Sequence, residues 1–337
     1  MGAKILGIEY LFPDIKVTNE DLQTEFQEYD ISKFETKVGI KCRYIADKNQ
    51  TALDLAVEAC QKLLCKVEKE LIDYVLYCTQ SPEYFLPTSA CILQDRLGLR
   101  KNIGALDFNL GCSGYTYGLS LANGLILSGQ ANNVLLVTAE TYSKFINKED
   151  RSNRAIFGDA ATATLISKTH DEQIGQFLFG TDGSGYDKLI VRNGASKTPF
   201  TPNANKLVYG SDNIYTDNDL YMDGPAIFNF TTEVIPPFIE EVVAANNINK
   251  DRIDQYIFHQ ANAFMLNLIR KRLKIDQSKF YISLEDGGNT VSNTIPIALK
   301  RFAERNIVDL KLYNVILAGF GVGLSWSGGL VKLGKLL

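Results

Sequence analysis

Cys112 is the residue of this chain best suited to nucleophilic chemistry. It stands in the segment GALDFNLGCSGYTYGLSLANGLILSGQ, where a strand-length segment runs into a glycine-flanked turn and then into residues of helical character that end at Gly129. A helix N-terminus presents unpaired N–H groups and a partial positive charge, and both favour a thiolate. We therefore predict a lowered thiol pKa at Cys112. Inert packing is the alternative for any free cysteine, and it is our interpretation of the other cysteines, Cys42, Cys60, Cys65, Cys78 and Cys91.

Two polar residues in the last third of the chain could assist such a nucleophile. His259 ends the apolar run YIFH and precedes a segment of helical period. Asn289 follows Gly287 and Gly288, which permit a sharp turn ahead of a further helical segment. Functional groups collect at the carboxyl ends of strands in α/β sheets, which is where His259 stands. Taken singly, a packing histidine and a turn or cap asparagine are equally open interpretations.

The glycine-rich segment AGFGVGLSWSGG is a third candidate for chemistry. Its G-x-G spacing at Gly319, Gly321 and Gly323 superficially resembles a dinucleotide loop, but the residues that follow have a strand pattern rather than a helical one. Backbone N–H groups brought near a reacting carbonyl are the better functional interpretation. A structural bulge is the alternative.

The elements that must position these residues alternate between strands and helices, which predicts an α/β fold. Strands are expected at IDYVLYCT, IGALDFNL, NNVLLVTAE, YIFHQ, NVILAGF and LSWSGGLVKL, and helices near 89–98, 113–129, 226–246, 261–273 and 293–305. The helix after Cys112 has no charged residue from Ser113 to Gln130, so we expect it to be buried on all sides. We divide the chain into an N-terminal half (1–170), a turn-rich connecting region (171–222) and a C-terminal half (223–337).

Composition narrows the range of functions. The 337 residues can form two domains or one large one, and a formal net charge of −4 gives no long-range field for nucleic acid or an anionic membrane. The six cysteines include no C-x-x-C pair, and the two histidines, His170 and His259, stand far from each other. We therefore predict no metal site, no nucleic-acid partner, no membrane insertion and a cytoplasmic location.

Several motifs together resemble one family, the β-ketoacyl-acyl carrier protein synthase III group of the thiolase-like superfamily. The motifs occur in the family's order along nearly the whole chain: TKVGIKCRYIA, LPTSACILQDRLG, DFNLGCSGYTYGL, RAIFGDAATATLI, HQAN, GGNTVSNTIPIAL and GFGVGLSW. The resemblance implies a five-layer αβαβα fold of two similar halves, with the cysteine-bearing helix and its counterpart at the centre. It also implies a homodimer in which Pro87 and its neighbours reach toward the partner's acyl pocket.

By the same resemblance, Cys112, His259 and Asn289 are the catalytic residues. Cys112 would take an acyl group from acyl-coenzyme A or an acyl carrier protein, and the other two would stabilise an enolate from a malonyl thioester on a carrier protein. The implied oxyanion hole is formed by backbone N–H groups of Cys112, Gly321 and Val322, and the implied acyl pocket includes Leu86 and Phe320. No cofactor is implied. The reaction is a decarboxylating Claisen condensation in fatty acid or lipid metabolism.

The substrate entrance departs from the family pattern. Lys33 stands where members that start fatty acid synthesis carry an adenine-stacking tryptophan, and Phe264 replaces an arginine at the carrier entrance. Leu86 replaces a phenylalanine of the acyl pocket. The remaining residues expected at the carrier or coenzyme A entrance are basic: Lys37, Arg151, Arg270, Lys271 and Arg272. These departures favour a specialised lipid, secondary-metabolite or glycan-acyl pathway.

Two other functions stay open at this point. An acyltransferase on the same scaffold would pass the acyl group from Cys112 to an alcohol or amine, with His259 as base. A catalytically silent chain could instead dock beside an active synthase. Asn289 argues against the acyltransferase, because a second donor is needed only for an enolate.

Overall fold

The structure is a computed structural model that describes residues 2–28, 30–210, 212–308 and 311–337, without the side chain of Lys33. The strands are β1 Gly2–Leu11, β2 Ile15–Thr18, β3 Cys42–Ile45, β4 Tyr74–Cys78, β5 Gly104–Phe108, β6 Asn133–Glu140, β7 Ala160–Thr169, β8 Ile174–Thr181, β9 Leu189–Val191, β10 Leu207–Tyr209, β11 Asn213–Tyr215, β12 Leu220–Met222, β13 Gln255–Phe258, β14 Tyr313–Gly321 and β15 Ser325–Leu333. The helices are α1 Asn19–Glu25, α2 Ile31–Val38, α3 Ala52–Leu64, α4 Ser89–Arg96, α5 Gly114–Leu127, α6 Arg151–Ile156, α7 Gly224–Ala245, α8 Ala263–Arg272 and α9 Thr294–Asn306. All the strands and helices predicted from the sequence are confirmed.

Two sheets carry the architecture. The first has the strand order β1-β7-β6-β4-β5, in which β4 runs parallel to both β5 and β6 while β1 and β7 are antiparallel to their neighbours. The second has the order β13-β14-β15-β8, with β13 and β14 parallel. The carboxyl ends of β5 and β13 therefore lead directly to Cys112 and His259.

The helices form the other three layers. Buried side chains of α3 and α4 pack on the first sheet, and those of α7 and α8 pack on the second. Between the sheets, Tyr115 and Leu119 of α5 and Ile295 and Leu299 of α9 share one core with strand residues of both sheets. This is the five-layer αβαβα arrangement, and it confirms the predicted fold class. Burying apolar side chains on both sheet faces explains the nearly continuous apolar sequence of β6.

The prediction that α5 is buried on all sides is wrong. Leu121 and Leu127 in its C-terminal half are 44% and 48% exposed, and Leu106 on β5 is 46% exposed. Strand β5 is the last strand of its sheet, and among the described residues none covers these three leucine side chains fully. A helix that is apolar all round can be enclosed by its own chain or can present an apolar surface for another chain.

The region 171–222, predicted to be a turn-rich connection, begins with β8, which pairs with β15 at the edge of the second sheet. The rest holds two small antiparallel pairs, β9 with β12 and β10 with β11. The division into three regions stays a prediction. In the described part of the chain, no helix combines the length and the apolar character that a bilayer crossing requires.

Candidate active site

Cys112 lies between β5 and α5 and is 5% exposed. Glycines surround it because neighbouring groups approach too closely for a side chain. A Cβ on Gly111 would come within 2.6 Å of Gln80 Oε1, and one on Gly114 within 2.3 Å of Cys78 Sγ. Hydrogen bonds then hold the start of α5 against β15, where Ser113 Oγ lies 2.8 Å from Ser325 Oγ.

The thiol pKa differs from the sequence prediction. Burial raises the pKa of Cys112 to about 12, whereas backbone N–H groups of Val322 and of Cys112 itself act in the opposite direction. The prediction of a lowered pKa from the helix N-terminus is therefore wrong, because the loss of water around the sulfur outweighs the nearby dipoles. The thiol is protonated at neutral pH and must lose its proton to an acceptor before it attacks.

The loop between β14 and β15 closes over the sulfur. A Cβ on Gly321 would lie 2.8 Å from Cys112 Sγ, so only glycine allows this approach. The N–H groups of Val322 and Cys112 both point toward the sulfur, as their effect on its pKa requires. This placement suits donors to a tetrahedral oxyanion formed at an acyl group on Cys112.

His259 follows β13 and is 2% exposed. Its backbone N–H donates to the Ala318 carbonyl at 2.8 Å, which continues the pairing of β13 with β14. The ring Nδ1 lies 2.8 Å from Thr294 Oγ1, and the ring packs edge-on against Phe320 with centroids 5.8 Å apart. Burial lowers the pKa of His259 to about 3, although a hydrogen bond to the backbone of Val291 opposes this shift. The imidazole is therefore neutral at pH 7.

Asn289 is 5% exposed and is held through both its backbone and its side chain. Its N–H donates to the Ile156 carbonyl at 2.9 Å, and its own carbonyl accepts from the Gly158 N–H at 3.1 Å. The side-chain Oδ1 accepts from the Val291 N–H at 2.9 Å. Since the oxygen is occupied, the NH2 group is the end of the amide that can donate into the cavity.

The turn after Asn289 holds an unusual backbone conformation. Gly288 has a φ of 67°, which glycine adopts readily, but Val291 has a φ of 58°. This left-handed conformation is uncommon for a β-branched residue and is retained only where the surroundings enforce it. Here the Asn289 side chain binds the Val291 N–H, and Val291 is fully buried. The strained residue thus belongs to the turn that places Asn289 and approaches His259.

Cys112, His259 and Asn289 line a single cavity of about 470 Å³. These residues are distant in sequence and are each no more than 5% exposed, so they form part of the enclosed inner end of the cavity, which Phe320 and Gly321 also line. The rest of the wall is largely apolar and comes from α2, α6, α7, α8, the short strands β9 and β12, and nearby loops: Lys37, Val38, Ile156, Phe157, Leu189, Met222, Gly224, Pro225, Ile227, Phe228, Asn229, Thr231, Ala261, Asn262, Phe264 and Met265. Exposed Lys37 and Phe264 mark the side that opens to solvent.

Only some of the predicted entrance and pocket residues reach this cavity. Lys37, Phe264 and Phe320 line it, whereas Leu86 does not and is 82% exposed. Arg270 lies elsewhere and donates to the Ile275 carbonyl at 3.1 Å. Three further predicted residues do not line the cavity: Arg151, Lys271 and Arg272, the last of which donates to the Thr232 carbonyl. The side chain of Lys33 lies outside the described part of the structure.

Sequence reasoning missed several residues of the site. The Thr294 hydroxyl and the Val291 backbone both contact the His259 ring, but neither residue type suggests chemistry by itself. The wall from α7 could have been found, because Gly224, Ile227, Phe228 and Thr231 recur at helical spacing and so share one face. The contact of that face with α8, where the Phe228 ring stacks on the Phe264 ring, could not be found in this way.

A buried carboxyl group supports the inner end of the cavity. Glu140, at the end of β6, is 0% exposed and accepts from the Gln80 N–H at 3.1 Å, Ser81 Oγ at 3.1 Å and Ser292 Oγ at 3.2 Å. Burial raises its pKa to about 8, while these donors act to lower it. Glu140 thereby connects the loop after β4 with the turn that carries Asn289.

Comparisons with known proteins identify the family of the chain. The family profile described as 3-Oxoacyl-[acyl-carrier-protein (ACP)] synthase III matches residues 106–183, and the profile of its C-terminal part matches residues 243–333. A beta-ketoacyl-[acyl-carrier-protein] synthase III of Clostridium perfringens is 39% identical over 336 residues, covering 98% of this chain and 99% of the relative.

Solved structures give the same result. A crystal structure of 3-oxoacyl-(acyl-carrier-protein) synthase III matches with a TM-score of 0.96 and 43% identity, covering 99% of this chain and 100% of that one. A 3-oxoacyl-(acyl-carrier protein) synthase from Burkholderia xenovorans matches with a TM-score of 0.91 and 32% identity, covering 100% and 95%.

Fold and comparisons together define an enzyme of the thiolase-like superfamily. Within it, the chain belongs to the 3-oxoacyl-[acyl-carrier-protein] synthase III family. The family resemblance predicted from the motifs is confirmed.

Proposed function

We propose that this enzyme condenses an acyl group held on Cys112 with a malonyl thioester, releasing carbon dioxide and a 3-oxoacyl thioester. One observation carries the proposal. A buried thiol, a neutral imidazole and an amide held by its oxygen line the inner end of one largely apolar cavity. That set contains a nucleophile and two uncharged donors, which is what acyl capture and enolate stabilisation require.

In the first half-reaction, the Cys112 sulfur attacks the acyl carbon and the carrier's thiol leaves. Negative charge develops on the acyl oxygen in the tetrahedral intermediate. The backbone N–H groups of Cys112 and Val322, with the approach allowed by Gly321, are the donors that we assign to this oxygen. Each such donor is worth about 3 kcal/mol of transition-state stabilisation.

In the second half-reaction, the malonyl thioester loses carbon dioxide and becomes an enolate. We assign the two donors on its oxygen to His259 and Asn289. A neutral imidazole suits this task, since a buried imidazolium would be costly and burial holds the pKa of His259 near 3. The enolate carbon then attacks the acyl carbon, and the bond from that carbon to Cys112 breaks. No metal or redox cofactor takes part in this scheme.

The residues at the mouth of the cavity indicate which kind of carrier delivers the substrate. Lys37 and Phe264 lie there, and the basic residues Arg270, Lys271 and Arg272 end the neighbouring α8. Lys37 at the mouth, together with the basic C-terminal end of α8, suits an acidic acyl carrier protein or the phosphates of coenzyme A. We propose that malonyl groups arrive on the carrier protein in the cytoplasm and that Arg151 and these basic residues contribute to docking.

An exposed apolar surface supports a homodimer. Four large apolar side chains are exposed in this part of the fold: Leu106 on the edge strand β5, Leu121 and Leu127 on α5, and Phe179 on β8. An open, apolar sheet edge is normally covered by another chain. Leu86, 82% exposed next to Phe85, would then reach the acyl pocket of the partner. Replacing Leu106 with Asp should shift the molecular mass by sedimentation from dimer to monomer.

Separate assays of the two half-reactions test the proposal. The protein is incubated with a series of acyl-coenzyme A and acyl-carrier-protein donors, and intact mass reports acylation of Cys112. Carbon dioxide release from malonyl-carrier protein reports condensation. Cys91→Ser, which alters an exposed cysteine, is the matched control for Cys112→Ala. Acylation without carbon dioxide release, together with transfer to an alcohol or amine, would support the acyltransferase. An unreactive Cys112 with all donors would support the silent partner.

A further inference from the structure

The orientation of His259 leaves one of its ring nitrogens for the cavity. Nδ1 lies 2.8 Å from Thr294 Oγ1, and the ring packs edge-on against Phe320. The hydrogen bond of the ring to the Val291 backbone belongs to the same end of the ring, because the Val291 carbonyl lies 3.1 Å from Thr294 Oγ1. Since Nδ1 is engaged by this pair, Nε2 is the nitrogen available to substrates. A neutral imidazole carries one proton, so Nε2 is an acceptor when Nδ1 holds the proton and a donor when it does not. The partner of Nδ1 therefore decides what Nε2 can do.

Thr294 can be either kind of partner. Its hydroxyl lies 2.8 Å from His259 Nδ1 and 3.1 Å from the Val291 carbonyl, and the residue is 3% exposed. When the hydroxyl donates to Val291, its lone pair accepts from an Nδ1–H. When the hydroxyl turns to Nδ1, the Val291 carbonyl keeps a donor, because the backbone N–H of Thr294 also binds it. Neither position leaves a buried polar group without a partner.

We propose that Thr294 is a positioning residue that supports both neutral tautomers of His259, one for each half-reaction. This inference rests on the proposed function. In the free enzyme the hydroxyl donates to Val291 and Nδ1 carries the proton, so that Nε2 faces the cavity as an acceptor. With a malonyl thioester bound, the hydroxyl donates to Nδ1 and Nε2 carries the proton toward the thioester oxygen.

The first tautomer serves acylation. The Cys112 thiol proton passes to Nε2. The transient imidazolium keeps its other hydrogen bond, in which Nδ1–H donates to Thr294 Oγ1. The sulfur bonds to the acyl carbon, the bond from that carbon to the carrier sulfur breaks, and the carrier thiolate takes the Nε2 proton and leaves as a thiol. The step gains and loses no proton overall.

The second tautomer serves condensation. The ring exchanges its proton with water while one carrier leaves and the malonyl thioester enters. The carbon–carbon bond to the carboxylate breaks, and its electron pair becomes an enolate whose oxygen accepts from Nε2–H. A carbon–carbon bond to the acyl group forms, the Cys112 carbon–sulfur bond breaks, and one proton from solvent restores the thiol.

Nitrogen NMR of the ring reads the tautomer directly. The chain has only two histidines, so His170→Gln leaves His259 as the single labelled imidazole. Long-range proton–nitrogen spectra are recorded on the free enzyme and with a malonyl-coenzyme A analogue in which carbon replaces the thioester sulfur. We expect Nδ1 to be protonated in the free enzyme and Nε2 with the analogue bound. The same tautomer in both states would overturn the inference.

Kinetics of matched variants complete the test. Thr294→Val removes the hydroxyl at nearly constant shape, and Thr294→Ser retains it. Thr164→Val removes another buried hydroxyl, which contacts Tyr115 in the core at 3.3 Å. We expect Thr294→Val to slow both acylation and carbon dioxide release by about tenfold, as loss of one hydrogen bond implies, and Thr294→Ser to stay within about threefold. Thr164→Val should leave both rates unchanged.

The outcomes separate this inference from the proposed function. If Thr294→Val keeps both rates within about twofold of an active wild type, the Thr294 hydroxyl only supports the turn before α9 and the inference fails. If Thr294→Val changes the rates but not the tautomers, the role is structural and the inference also fails. If the wild type neither acylates Cys112 nor releases carbon dioxide, the proposed function fails, whereas the tautomer measurement remains valid because it needs no turnover.

Discussion

The floor and the mouth of the cavity are built on different principles. The floor consists of Cys112, His259 and Asn289, each no more than 5% exposed and each held by backbone or side-chain hydrogen bonds. The mouth consists of Lys37, Phe228 and Phe264. There, the Phe228 and Phe264 rings stack with centroids 5.7 Å apart, and Lys37 Nζ lies 5.2 Å from the centre of the Phe264 ring.

The difference follows from what each end must do. Reacting groups need positions accurate to a fraction of an ångström, so the floor is anchored to the ends of strands in both sheets. The mouth only has to admit a long thioester, and half-exposed aromatic contacts allow that without fixing one geometry. Changes at the floor should therefore alter reaction steps, whereas changes at the mouth should alter substrate binding.

The sharpest test of the floor is removal of the nucleophile. Cys112→Ala should lower condensation of acyl donor with malonyl-carrier protein at least about a thousandfold, because no acyl-enzyme can form. Product formation is followed by mass spectrometry of the 3-oxoacyl thioester, with Cys91→Ser as control. Full activity of Cys112→Ala would mean that the acyl group never resides on this sulfur.

Asn289→Ala should separate the two half-reactions. Loss of one of the two enolate donors should slow carbon dioxide release by about a hundredfold or more, while acylation of Cys112 stays within about threefold. Asn306→Ala is a suitable control, because that amide donates to the Phe302 carbonyl at the end of α9 and does not line the cavity. An equal loss in both steps would show that Asn289 supports the fold of the site and not the enolate.

Glu140, the buried carboxyl group that supports the inner end of the cavity, should make the stability of the protein depend on pH. Burial raises the pKa of Glu140 from 4.5 to about 8, so between these values the folded state keeps a proton that the unfolded state has lost. The contribution of Glu140 to the free energy of unfolding must then fall as pH rises through this window and level off above it. Glu140→Gln has no such proton, so its stability relative to wild type should rise between pH 5 and 8 by on the order of 3 kcal/mol.

Urea unfolding of both proteins at the two pH values measures this change. A constant stability difference would mean that Glu140 is ionised throughout. Any loss of hydrogen bonding in Glu140→Gln lowers its free energy of unfolding equally at both pH values, so it does not affect the change between them.

The mouth should show the smallest effect. Phe264→Ala removes a 46% exposed ring from the wall and should raise KM for the carrier thioester by about threefold to tenfold with kcat within about twofold. Phe200→Ala, another exposed phenylalanine, lies off the cavity wall and should change neither constant. A fall in kcat with unchanged KM would show that the mouth takes part in the chemistry. The mouth and the floor would then not divide into a binding part and a reacting part.

Prediction from sequence succeeded best where local geometry constrains residue type. Glycine at 111, 114 and 321 is required by approaches of less than 3 Å, and such positions form recognisable motifs around Cys112. Prediction failed where the answer depends on what surrounds a group. The Cys112 pKa and the exposure of α5 were both predicted wrongly, because desolvation and the uncovered edge of β5 are properties of the assembled chain.

By itself, the sequence determined part of the order of strands and helices through its periodicity and the family through its short motifs, because both signals are local. The αβαβα class was implied by the resemblance to that family. Only the tertiary structure decided that Cys112, His259 and Asn289 line one cavity, that Leu86 lies away from it, and that Thr294 contacts the imidazole. Residues that meet across two sheets have no regular spacing along the chain, so the sequence alone does not show that they are in contact. Their distances and their hydration are set when the layers pack.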